Sequence, residues 1–405
     1  MKMTFQSQTV DLADGSDLSV NVHTAAPTSR LRPLVLVIAV AALLAASANA
    51  SAQAFFGKNE VTGINEAGQV VGRTFSGIPG SFVTYHAALW NGTIATDLGS
   101  LGGGSFGLGI NDAGQVVGYS GTACNCSVHA TLWNGPVATD LGTLGGTISW
   151  AYGINNAVQA VGFSYTTGNA AYHATSWKGT VATDLGTLGG TASLAYGINN
   201  VGQVVGFSAT TGDVGVHATL WNGTVATDLG TLGGPSSSAY GINDAGQIIG
   251  SSDTADGFSD ATLWNGTVAT DLGRLGGSGS VAKSINGAGQ IVGYSYTTGN
   301  VATHATLWNG TVAMDMNSFL DSSMIGLGWY LSDAVGINDG GWITGNAVNS
   351  ISGYKDPYVV NISGQQFTFL DPLPPVPIPI PEPETYALML AGLATVAGIA
   401  RRRKA

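Results

Sequence analysis

The chain has 405 residues, 61 of them glycine, with 9% charged side chains and a formal net charge of −11. So little charge in a chain this apolar excludes charge-driven disorder. The negative balance excludes a nucleic-acid partner, because phosphate backbones are repelled. With only Cys124 and Cys126, one residue apart, no disulfide framework holds the fold.

At the N-terminus, residues 34–46 (LVLVIAVAALLAA) form an apolar run preceded by Arg30 and Arg32. The small-x-small sites Ala48-Asn49-Ala50, Ala50-Ser51-Ala52 and Ala52-Gln53-Ala54 follow. This pattern reads as a secretory signal helix within residues 1–54, cleaved after Ala54. The stretch before Arg30 is long and holds Asp11, Asp14 and Asp17, so either the true start lies further downstream or the leader is unusually long.

Residues 55–371 are a repeat array. Its marker, Gly-Ile-Asn, begins at Gly63, Gly109, Gly153, Gly197 and Gly241, recurs as Ser284-Ile285-Asn286 and returns at Gly336, at steps of 46, 44, 44, 44, 43 and 52 residues. In the repeat around Gly197, "AYGIN" suits a first strand and "NVGQ" a turn centred on Gly202. "VVGFSATT" alternates as a half-buried strand. "HATLW" is the third strand, with His217, Thr219 and Trp221 on one face and Ala218 and Leu220 on the other. Asn222-Gly223 predicts a type I′ hairpin. "TVATDLGTL" is the fourth strand, broken by Gly233-Gly234. Four antiparallel strands in about 44 residues match one propeller blade. The expected fold is therefore all-β, a seven-bladed β-propeller with few free edges. A β-solenoid of two coils per repeat is the alternative. The hairpin signals favour the propeller.

Three slots in each repeat hold residue types that elsewhere mean chemistry. The His slot is His86, His129, His173, His217, Asp260 and His304. The Trp slot is Trp90, Trp133, Trp177, Trp221, Trp264 and Trp308. The Asp slot is Asp97, Asp140, Asp184, Asp228, Asp271 and Asp315. A catalytic site is one asymmetric constellation, whereas near-copies mark something every repeat needs. The expected role is a structural brace, His tying its strand to the following turn beside a packed Trp. One His and one Asp per repeat are too few for a closed zinc site, and the turns lack a calcium loop's acidic series. No metal, cofactor or catalytic residue is expected. The Asn-Gly-Thr sequons at Asn91, Asn222, Asn265 and Asn309 are explained by their hairpins.

Some positions depart from the pattern. Asp260 replaces His in repeat 5; in repeat 7, Asp356 falls in the His slot and Val360 in the Trp slot. Repeat 7 is preceded by an insertion carrying Trp329 and Tyr330. Cys124 and Cys126 sit in a loop unique to repeat 2, as a disulfide or as free thiols. Tyr152, Tyr196 and Tyr240, beside Gly-Ile-Asn, suit packing or stacking, with packing preferred.

The repeated string resembles the HAF repeat, a family of extracellular repeats. The shared pattern is His-Ala-x-x-Trp, then Asp-Leu-Gly-x-Leu-Gly-Gly, then Gly-Ile-Asn-x-x-Gly-x-x-x-Gly, over residues 63–345. The resemblance implies an extracellular address and no defined enzymatic activity.

The C-terminus carries a proline-rich spacer, residues 372–383, suited to an extended conformation. The apolar stretch 385–400 would span roughly 24 Å as a transmembrane helix. Arg401, Arg402, Arg403 and Lys404 form a basic stop on the cytoplasmic side. Pro381-Glu382-Pro383, the short apolar helix and the basic tail together, residues 381–405, resemble the PEP-CTERM sorting signal. That resemblance implies a membrane exosortase as processing partner, a Gram-negative source, a transient membrane anchor and release to the cell surface. A permanent single-span anchor is the alternative.

These features point to a non-catalytic exported surface or matrix protein associated with extracellular polysaccharide or biofilm. A lectin-like propeller that binds sugar is the second reading. An enzyme using paired carboxylates is the third, and no non-repeated acid pair stands out for it.

Overall fold

The computed structural model describes residues 7–11, 17–21, 59–76, 84–123, 126–362 and 366–370. Near the N-terminus, Ser7–Asp11 and Asp17–Asn21 pair antiparallel as a two-stranded sheet. The signal run 34–46, Ala54, the proline spacer, Pro381-Glu382-Pro383, the stretch 385–400 and the basic stop lie outside the described residues. Among the described residues no helix is long and apolar enough to cross a membrane.

The repeat region is all-β and propeller-like. Its strands form antiparallel sets of four, one set per repeat, paired in chain order. Repeat 4 is Gly189–Ile198, Gln203–Thr210, Val216–Asn222 and Val225–Asp228. The first set spans Glu60–Ile64 to Ile94–Asp97 and the last Trp329–Ile337 to Gln366–Phe369. Isolated parallel pairs, Val128 with Ile148 and Ser259 with Gly279, link two pairs of neighbouring sets.

The core lies between the sets, so both faces of each sheet are apolar. Trp221 of repeat 4 is fully buried against Val161, Ala174 and Leu185 of repeat 3. On the other face of the same strand, Ala218 and Leu220 pack against Trp264 of repeat 5. Trp133, Trp177 and Trp308 fill the equivalent gaps. Trp90 of repeat 1 shares its cluster with Leu370, Val335 and Val359 of the last repeat. First and last repeats therefore meet by packing, each drawing its four strands from its own contiguous segment.

Three local expectations are corrected. The first strand is longer than "AYGIN" and bulges at Tyr196, since Ala195 pairs with Gly206 and Gly197 with Val205. This bulge carries the Leu194 carbonyl over Gly206, where a Cβ would lie 1.9 Å from that oxygen. The fourth strand is short, Val225–Asp228. The chain turns there because Leu229 N–H donates to the Ala218 carbonyl and the Asp228 carboxylate accepts from Gly230 N–H. Gly233-Gly234 accordingly opens the next repeat's first strand. The hairpin turn is centred on Gly223-Thr224, because Asn222 pairs with Val225. Only Gly223 there has positive φ, 59°, which is the requirement of type II′ rather than I′.

Candidate functional site

The His and Asp slots come together within each repeat. The imidazole Nδ1 lies 2.9 Å from the carboxylate in His86–Asp97, 2.7 Å in His129–Asp140 and His173–Asp184, 2.8 Å in His217–Asp228 and 2.7 Å in His304–Asp315. An ionised carboxylate only accepts, so the ring N–H is the donor. The other oxygen of the same Asp accepts from a backbone N–H two residues on, Gly99, Gly142, Gly186, Gly230 or Asn317. Each pair thus joins the third strand to the turn that ends the fourth. At Asp315, burial pushes the pKa up, but hydrogen bonds from His304 and Asn317 outweigh it and hold the carboxyl below its usual range.

Repeat 5 solves the same position differently. Asp260 is fully buried where the other repeats hold His, and would face Asp271 as a like charge. Arg274 compensates, with Nη2 3.4 Å from the Asp260 carboxylate and its guanidinium 4.4 Å from the Phe258 ring centroid. Burial still raises the Asp260 pKa, helped by Asp271. In repeat 7 the register puts Asp356 in the His slot, Val360 in the Trp slot and Phe369 in the Asp slot.

The Trp slots are buried rather than presented to a ligand. Trp308 Nε1–H donates to the Gly273 carbonyl of the preceding repeat at 3.1 Å. The indole N–H groups of Trp90, Trp133, Trp177, Trp221 and Trp264 have no partner among the described residues. Their gain is apolar and dispersive.

Serines that sequence reasoning passed over form a second seam. Ser237 Oγ of repeat 5 accepts from Ala218 N–H of repeat 4 and donates to the Gly230 carbonyl. Ser105, Ser149, Ser193 and Ser280 repeat this bridge. The available signal was a Ser four residues before each Gly-Ile-Asn or Ser-Ile-Asn from the second repeat to the sixth.

The Gly-Ile-Asn asparagines make a third arrangement. Each Nδ2 donates to the backbone carbonyl of the next repeat's asparagine, from Asn65 through Asn111, Asn155, Asn199, Asn243 and Asn286 to Asn338, at 3.0–3.2 Å. Asn338 then donates to the Asn65 carbonyl at 3.0 Å, across 273 residues of sequence.

Inside this ring lies a cavity of about 200 Å³, lined by the first strands of all the repeats. The wall is not uniform: Tyr240 and Lys283 stand in it, whereas Tyr152 and Tyr196 pack in series behind Tyr240. The residue before Gly-Ile-Asn, or before Ser-Ile-Asn in repeat 6, is Thr62, Leu108, Tyr152, Tyr196, Tyr240, Lys283 and Val335 in order. Tyr152 and Tyr196 rings are 5.2 Å apart, Tyr196 and Tyr240 5.0 Å, and Lys283 Nζ sits 4.2 Å from the Tyr240 centroid. A second tier flanks them: Tyr119 stacks on Trp150 at 4.3 Å, Phe163 lies 5.6 Å from Trp150, and Phe207 lies 6.0 Å from Tyr196. Burial pushes the Tyr152 phenol up to about 12, raises Tyr196 further, and lowers the Lys283 ammonium. This arc belongs to repeats 3 to 6 and breaks the symmetry of the array. It can offer ring faces to apolar C–H surface and one cation to an anion.

Among the described residues no cluster of three or more His, Cys, Asp or Glu could hold a metal ion. Cys126 is disulfide-bonded, and Cys124, the sequence's other cysteine, lies outside the described residues.

Residues 379–404 match the PEP-CTERM protein-sorting motif, the mark of an exported surface protein sorted by an exosortase. No curated protein matches the chain. Among solved structures, the β-propeller domain of the Trilobed protease from Pyrococcus furiosus, described as having an open velcro topology, is similar at a TM-score of 0.55. It is 7% identical over 80% of this chain and 98% of that one. A puromycin hydrolase is similar at a TM-score of 0.50, 10% identical over 80% of this chain and 55% of that one. At such identities the likeness is one of fold alone.

Proposed function

We propose that this is a non-catalytic exported surface protein, a closed seven-bladed ring of HAF-type repeats that associates with extracellular polysaccharide. The leader would be cleaved after Ala54. The helix 385–400 would hold the chain in the membrane, with Arg401, Arg402, Arg403 and Lys404 as its stop. Exosortase would then act at Pro381-Glu382-Pro383, as the sorting motif suggests.

The single observation that carries the binding role is the aromatic arc at the axis, confined to repeats 3 to 5 and ended by Lys283 in repeat 6. Half-buried rings held on strands suit the C–H faces of sugars better than any reaction. The His–Asp pairs are read as braces, because each carboxylate is already engaged by a ring N–H and a backbone N–H. The experiment is co-sedimentation of the full-length protein with polysaccharide from the producing cells, against a heat-denatured control. Saturable binding that free sugar competes away is expected. Equal sedimentation of folded and denatured protein would refute the binding role.

A further inference from the structure

The axial cavity has one feature that neither packing nor a neutral sugar calls for. Lys283 is the only charged residue in its lining. The other repeats place Thr, Leu, Tyr or Val in that slot, and repeat 6 alone pairs this change with a second, Ser284 for glycine. Ser284 Oγ accepts from Ile337 N–H at 3.2 Å, which fixes the strand beside Lys283. The ammonium lies against the Tyr240 ring, with Tyr294 at 5.9 Å on another side.

Lys283 forms no ion pair among the described residues, whereas Arg73 and Arg274 each hold a carboxylate. Among the described residues the acid whose charge reaches it is Asp333, which is already occupied by Asn346, through both N–H and Nδ2, and by Ser332. An ammonium removed from water without a carboxylate partner is costly. A ring face offsets part of that cost. An arriving anion would offset more.

We propose that the cavity binds the carboxylated end residue of an acidic polysaccharide, with Lys283 Nζ meeting the carboxylate and the Tyr240 ring, backed by Tyr196, taking a C–H face of the sugar. This rests on the polysaccharide reading above and adds the ligand class and the site. Size supports an end residue: about 200 Å³ is less than the roughly 300 Å³ at which drug-sized pockets begin. Charge supports it too. A chain of net charge −11 disfavours a polyanion lying across its surface, so the acid enters where the cavity's one cation waits.

The test uses full-length protein, isothermal titration and three probes: a galacturonic acid trisaccharide, the neutral galactose trisaccharide, and a tripeptide with a free C-terminal carboxylate. The acidic trisaccharide is expected to bind at least tenfold more tightly than the other two. Lys283→Met should abolish that preference and Lys283→Arg should keep it, with near-ultraviolet circular dichroism unchanged; Lys283→Gln replaces Met if that variant does not fold. Tyr240→Leu should weaken both sugars. The preference should also fade with rising pH earlier than an ordinary lysine near 10.4 would allow. Equal affinity for the two sugars, an unaltered preference in Lys283→Met, or tripeptide binding as tight as the acidic sugar would overturn the proposal. If whole polysaccharide still co-sediments after such a result, only this site assignment fails. If co-sedimentation is lost as well, the binding function fails with it.

Discussion

The link from Asn338 to Asn65 carries a quantitative consequence. Asn338 is almost fully buried; its Nδ2 donates to the Asn65 carbonyl at 3.0 Å, and its Oδ1 accepts from Trp342 N–H at 2.9 Å. Asn338→Ala leaves both backbone groups without that partner. The Asn65 carbonyl still accepts from Gly68 N–H, so one group, Trp342 N–H, is orphaned; about 1–3 kcal/mol for it and about 0.5–1.5 kcal/mol for the lost bond to Asn65 give a loss of about 2–4 kcal/mol. Asn199→Ala removes the matching pair, Asn243 carbonyl and Gln203 N–H, at 3.1 and 2.8 Å, so its local cost should be similar. The two differ in what else holds the seam. Repeats 4 and 5 are joined by continuous chain, whereas repeats 7 and 1 meet only through packing and hydrogen bonds. Urea unfolding should therefore give comparable losses. Hydrogen exchange should separate them: Asn338→Ala should expose residues 60–97 and 329–370 while repeats 3 to 5 stay protected, and Asn199→Ala should not. A change below about 0.5 kcal/mol in Asn338→Ala, or exchange that rises evenly around the repeats, would refute this reasoning.

Other substitutions test the packing and the charges. Trp221→Ala empties a fully buried gap between repeats and should cost about 3–5 kcal/mol in denaturant titration. Trp221→Phe should cost clearly less, because the indole N–H it removes has no partner among the described residues. Val158 holds φ 59° where Gly202 and its counterparts stand, so Val158→Gly should stabilise by about 1 kcal/mol, read as a higher Tm. Gly206→Ala, which drives a Cβ to 1.9 Å from the Leu194 carbonyl, should cost about 3 kcal/mol or prevent folding. Asp260 and Asp315 should show opposite pH signatures. The raised Asp260 pKa contributes stability below the unfolded value near 3.9, lost as pH rises through the folded value; the depressed Asp315 pKa contributes above 3.9, lost as pH falls. Relative to the parent, Asp260→Asn should improve and Asp315→Asn worsen from acid to neutral pH, in Tm followed between about pH 3 and 7.

Much of the architecture is legible in the sequence because its signals are local and repeated. A step of about 44 residues, alternating runs and Asn-Gly hairpins give four-stranded sets without reference to anything distant. The His, Trp and Asp slots can be recognised as repeated for the same reason. The errors are local as well. Asn-Gly signals a hairpin but not which two residues sit at its tip, and register, settled by pairing with the neighbouring strand, placed Gly223-Thr224 there. Gly233-Gly234 breaks one strand or opens another, depending on where Asp228 caps the turn.

What the sequence alone determined is the period, the strand content, the sorting motif at residues 379–404, and the residues that fill each slot. Only the tertiary structure decided what those residues face. It placed Trp221 in the gap to the preceding repeat, Ser237 across the next one, and Asn338 against Asn65. It also gathered Tyr152, Tyr196, Tyr240 and Lys283, spread over more than a hundred residues, into one arc. The physical reason is that a repeat pattern specifies each sheet, while a site on the axis exists only after every sheet has contributed one strand. No single window of sequence contains that juxtaposition.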